Sequence, residues 1–111
     1  MDAGMNFSVA GSWEAPSEDF PHGRLVSSNA LVTANRRSQG IVDLTLLYPV
    51  NEGNIACVVT QRGTPHDLYH SVVQTDNRVK TVEFTAGEQG FTDQSFDFIF
   101  VHMAQPTQSG L

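Results

Sequence analysis

Hydrophobic and polar residues alternate along much of this chain, and in one stretch the alternation gives way to a strand that is apolar on both sides. Gly40 to Tyr48 (GIVDLTLLY) sets Val42, Leu44, Leu46 and Tyr48 on one side of an extended chain and Asp43 and Thr45 on the other. That is the period-two pattern of a half-buried strand. Ile55 to Arg62 repeats it with Ile55, Cys57 and Val59. Ser95 to Met103 (SFDFIFVHM) differs, with Phe96, Phe98 and Phe100 on one face and Ile99, Val101 and Met103 on the other. A strand of this kind belongs inside a sheet covered on both sides. The chain offers few helices for that purpose, so the pattern predicts a central strand whose outer face other protein covers.

The remaining segments fill in an all-β arrangement. Pairing Gly40–Tyr48 with Ile55–Arg62 through the turn residues Pro49 to Asn54 would set Tyr48 opposite Ile55, Leu46 opposite Cys57 and Leu44 opposite Val59. A second hairpin is expected where Asp67–Thr75 and Arg78–Ala86 flank Asp76-Asn77, residue types that tolerate the positive φ of a tight turn. Its register would place Tyr69 against Phe84, Ser71 against Val82 and His70 against Glu83. Asn6 to Trp13 reads as a short strand before an acidic loop at Glu14 to Asp19. Arg24 to Arg37 supplies strands around Leu25 and Leu31, or one short helix capped by Ser27 or Ser28. Glycine or proline recurs between these segments, and about six to eight short strands at such spacing imply an antiparallel β-sandwich or jelly roll, with a small β-barrel as the alternative. Residues 1–111 are expected to form a single β domain, with residues 1–5 and 105–111 frayed.

Composition narrows the function classes. With 40% hydrophobic and 16% charged residues and no long apolar run, the chain suits a soluble globular protein without a membrane span. A net charge of −6, with Lys80 as the single lysine, argues against nucleic acid as a partner, because neutralising phosphates needs a basic face. Arg36 and Arg37 are adjacent but do not make a patch, and read as a solvated turn. An acidic surface does suit docking on a basic partner. The single cysteine, Cys57, cannot close an internal disulfide and reads as a small core residue. Together with an N-terminus lacking a basic region followed by an apolar core, it points to a cytoplasmic or virion-associated protein.

Candidate chemistry is sparse. The four histidines are His22, His66, His70 and His102. His66 and His70 are four apart, which on a strand is about 13 Å, too far for both to ligate one metal ion. Asp97 and His102 have odd separation and should lie on opposite faces of one strand. No nucleophile elbow, phosphate-binding glycine loop, paired-cysteine site or His-Glu-x-x-His helix is present, so no catalytic residue, metal or cofactor is assigned and an enzyme is disfavoured. Binding candidates are aromatic residues near polar groups: Trp13, and Tyr69 with His70 and Glu83, a set able to contact a carbohydrate or protein ligand.

The leading expectation is a non-enzymatic recognition or assembly module. It would self-associate through a β-sheet face or edge as a dimer or trimer, in the manner of viral and phage structural proteins or lectin-like proteins. The alternatives are a small hydrolase or isomerase using the His70–Glu83 pair, or His102 with a carboxylate of another strand, and an acidic regulatory or inhibitory protein that occupies a basic partner site.

Overall fold

The structure is a computed structural model that describes residues 7–27, 31–47, 54–63, 68–75, 78–86, 88 and 90–103. These residues form eight strands: β1 (Phe7–Glu14), β2 (Arg24–Ser27), β3 (Val32–Ser38), β4 (Ile41–Leu46), β5 (Asn54–Gln61), β6 (Tyr69–Gln74), β7 (Val79–Thr85) and β8 (Phe96–Met103). They build two four-stranded sheets. Sheet A has the order β2-β1-β8-β5 and sheet B the order β3-β4-β7-β6, with every paired strand antiparallel. The two lie face to face as a β-sandwich, and neither closes into a barrel. The Arg24–Arg37 segment supplies two strands rather than a helix, in agreement with its β-branched and polar content.

Strand parity decides what lies inside. Trp13 and Val9 from β1, Phe96, Phe98 and Phe100 from β8, and Ile55 and Val59 from β5 project inward from sheet A, against Val42, Leu44, Leu46, Val82 and Phe84 from sheet B. Phe84 and Phe96 meet across the sheets with ring centroids 5.6 Å apart, and Phe96, Phe98 and Phe100 continue as a tilted and edge-to-face series. Such geometry suits the quadrupoles of the rings. β8 lies between β1 and β5, as its doubly apolar pattern implies. Its phenylalanine face is the one that meets sheet B.

Two expected pairings are corrected. β4 and β5 do not form a hairpin: β4 pairs with β3 and β7, whereas β5 pairs with β8 in the other sheet. The apolar faces of Leu44, Leu46, Ile55 and Val59 thus meet across the sandwich rather than side by side within one sheet. Both arrangements bury the same residues, which is why alternation could not separate them. The connection, residues 48–53, lies outside the described residues. The β6–β7 hairpin exists, but one residue out of the expected register, with Tyr69 opposite Thr85, His70 opposite Phe84, Ser71 opposite Glu83 and Val72 opposite Val82. The Thr75 amide donates to the Val79 carbonyl at 3.0 Å. That bond fits the observed register, in which Gln74 lies opposite Lys80.

One polar node fastens the β3–β4 turn to the segment leading into β8. Arg36 donates through Nε and Nη2 to Asp93 at 2.9 and 2.8 Å, and the Gly40 amide donates to the same carboxylate at 2.9 Å. Gly40 has φ of +79°, and a Cβ at that position would lie 2.7 Å from the Thr92 amide nitrogen. Only glycine suits both the positive φ and the close approach.

Candidate interaction surface

The residues singled out from sequence do not converge. Trp13 is a core residue, 3% exposed, on the side of the sandwich where β2 and β3 lie close to each other. Gly23 closes over its indole ring, leaving no room for a side chain. Tyr69, expected to pack on Phe84, is instead 74% exposed on β6. Strand parity puts it on the outer face of sheet B with Glu83. His70 lies on the opposite side of that sheet, its ring 5.5 Å from that of Phe84. The His70–Glu83 pair therefore does not form across the strands. Glu83 instead accepts from Ser71 Oγ at 3.4 Å. Asp97 and His102 do take opposite faces: Asp97 is exposed, whereas His102 is buried and stacks on Phe7 at 4.9 Å. His66 and the turn at Asp76-Asn77 lie outside the described residues. No cluster of three metal-ligating side chains occurs among the described residues, and no helix there is long and apolar enough to cross a membrane.

A cleft of about 340 Å³ opens beside Trp13, lined by His22, Arg24, Asn35 and Arg36 among others. Its cations are already engaged. Arg24 forms an ion pair with Glu14 and lies over the Phe20 ring, 4.2 Å from its centroid, and Arg36 is held by Asp93. The hydrogen bonds from Arg36 keep the Asp93 carboxyl below the usual carboxylate range, with the Gly40 amide adding to the effect and burial opposing it. The same contact raises the Arg36 pKa. The cleft therefore presents polar edges with their charges internally balanced.

The outer faces of the two sheets differ sharply in chemistry. On sheet B, Asp43 takes two hydrogen bonds from Arg37, at 2.7 and 3.0 Å, and one from Thr81 at 2.6 Å, and with the Thr81 proton so engaged Thr75 Oγ1 donates to Thr81 Oγ1 at 2.7 Å. Thr33, Asn35, Thr45 and Ser71 continue this polar side, and the exposed Tyr69 and Val73 lie at its β6 edge. Sheet A carries apolar rows instead. Cross-strand pairing lines up Ala10, Ile99 and Val58 in one row and Ser8, Val101 and Ala56 in the next. Val58 is 57% exposed, and Ala10 and Ala56 are exposed with it. A polar rim bounds these rows at one end, where Ser12 donates to Asp97 at 2.5 Å and Arg62 Nε lies 3.6 Å from the same carboxylate.

The two apolar faces of β8 were legible from its pattern, but parity alone could not choose which points outward; the structure turns Phe96, Phe98 and Phe100 inward and leaves Ile99 and Val101 on the outer face. Val58 was not legible, because it belongs to the smaller set Ala56, Val58 and Thr60 on the polar-looking side of β5, and only pairing with β8 joins it to the same patch. Asp93 carried no local signal at all, since its partner Arg36 is 57 residues away. No protein-family model, curated protein or solved structure matches this chain.

Proposed function

We propose that this chain is a non-enzymatic assembly module that binds a second copy of itself through the outer face of sheet A. The observation supporting this reading is the contrast between the two outer faces: a hydrogen-bonded network of Arg37, Asp43, Thr75 and Thr81 on sheet B, and uncharged rows of alanine, valine and isoleucine, with Ser8 at one end, across three strands of sheet A. An apolar sheet face gains by exclusion from water, at roughly 25 cal/mol per Å² buried. A two-fold contact between copies is self-complementary for such a face, since apolar rows meet apolar rows. The rim supports the same occupant, because Arg62 and Asp97 offer one cation and one anion side by side. A protein with net charge −6 meets its own copy best where local charge is absent or balanced.

Sedimentation or light scattering at micromolar concentration should give a mass above the 12.1 kDa of one chain. Ile99→Lys, on a central strand and pointing away from the core, should lower that mass while leaving the β-sheet circular dichroism intact. A strictly monomeric wild-type protein, or an unchanged mass for the variant, would remove this reading.

A further inference from the structure

The four sheet edges are unequally guarded. β2 is four residues long and begins at Arg24, which is paired with Glu14. β3 carries Arg36 and Arg37, and its register breaks in a bulge between Arg36 and Ser38. Short length, charge and bulges are the usual means of preventing edge-to-edge pairing. β6 has no charged residue but extends for six residues only. β5 (NIACVVTQ) is eight residues long and has no charge, proline or glycine, and its register with β8 runs without a break from Asn54 to Gln61. Among the described residues it pairs with β8 alone.

The direction of its unpaired groups follows from one hydrogen bond. The Arg62 amide donates to the Ser95 carbonyl at 3.0 Å, so the Arg62 backbone faces β8. Antiparallel alternation then turns Thr60, Val58 and Ala56 toward β8, and turns the N–H and C=O groups of Ile55, Cys57, Val59 and Gln61 toward the open edge.

We infer that this edge pairs antiparallel with β5 of a second copy, joining two A sheets into one of eight strands. The inference rests on the reading of the chain as a self-associating module and specifies a contact that the sheet face does not supply. Side-chain parity and two-fold symmetry limit the register. Centring the axis on Val58 sets Ile55 against Gln61 of the other copy, and Cys57 against Val59. All four outward-facing residues of each chain are then satisfied. Moving the axis to Cys57 would leave Gln61 opposite a residue beyond the strand. In the Val58-centred register Ala56 lies opposite Thr60 of the other copy on the outer face, and no charge meets a like charge. The apolar rows of both copies also become continuous, so edge pairing and face packing together lead to a four-chain assembly.

The test uses the Ile99→Lys protein, in which the face contact is blocked and the edge remains. It should sediment as a dimer. Ala56→Lys with Thr60→Lys, added to it, places lysine against lysine twice across the axis and should produce a monomer. Ala56→Glu with Thr60→Lys places glutamate against lysine twice and should hold the dimer, with affinity roughly tenfold or more above that of the double-lysine form. Positions 56 and 60 are exposed and about 13 Å apart along one strand, so neither pair acts within a chain. A monomeric Ile99→Lys protein overturns edge pairing while leaving the face reading in place if the wild type associates. Equal behaviour of the two charge pairs, both dissociated or both dimeric, overturns it as well. As a second measurement in the same background, Val58→Cys with Cys57→Ala should oxidise to a covalent dimer and Ala56→Cys with Cys57→Ala should not. Equal cross-linking of the two would contradict the register.

Discussion

At the scale of single residues, the most consequential side chain is Asp93, which joins Arg36 of β3 and the Gly40 amide to the approach of β8. Its carboxyl titrates below the usual range because Arg36 donates two hydrogen bonds to the charged form. A depressed carboxyl stabilises the fold above its unfolded pKa, and the contribution is lost as pH falls through that value toward the folded one. Asp93→Asn should therefore cost about 1 to 3 kcal/mol at neutral pH. The gap from wild type should shrink below about pH 4, as measured by urea unfolding across that range. Cys57 behaves oppositely. Burial pushes its thiol up to about 11, and the positive charge of Lys80 only partly offsets this. An aromatic disulfide reagent at pH 8 should react with the folded protein roughly tenfold or more slowly than with the same chain in denaturant. Rapid reaction in the folded state would mean that the thiol is not buried.

At the scale of strands, β8 fixes the interior. Phe100 is fully buried in the middle of that strand, in edge-to-face contact with Phe98. Phe100→Ala should destabilise by about 3 to 5 kcal/mol in denaturant titration, whereas Val101→Ala, on the opposite face, should cost much less in the monomer. The positions of the strands were readable from alternation, and so was the central place of β8, because apolar residues on both of its faces distinguish it from the half-apolar strands. Strand partners were less readable. The faces of β4 and β5 look the same whether they share a sheet or oppose each other, and a one-residue shift in register moved His70 from Glu83 to Phe84. The candidate binding set depended on that register, and on Trp13 being accessible when it is in fact packed under Gly23. What alternation did carry was the apolarity of both faces of β8; which one points outward, the Ile99 and Val101 face, came only from the packing of the phenylalanines against sheet B.

At the scale of the whole molecule, the sandwich has one outer face centred on a hydrogen-bonded polar network and one that carries apolar rows, and a charged side at β2 and β3 set against an uncharged one at β5 and β6. Each asymmetry leads to a different variant, so face and edge can be removed one at a time. The order of sheet A has another consequence, concerning time rather than surface. β1 and β5 both pair with β8, the last strand along the chain, so neither β1–β2 nor β5 has its place in sheet A until β8 arrives. Sheet B, whose β3–β4 and β6–β7 pairs are local, can gather first. Refolding followed by stopped-flow fluorescence of Trp13, a β1 residue, should report a late step in the millisecond-to-second range typical of non-local β topologies. During synthesis, the uncharged edge of β5 is made before the strand that will shield its other side. The newly made chain therefore passes through an interval in which β5 has two open edges, and in that interval association between chains competes with completion of the fold.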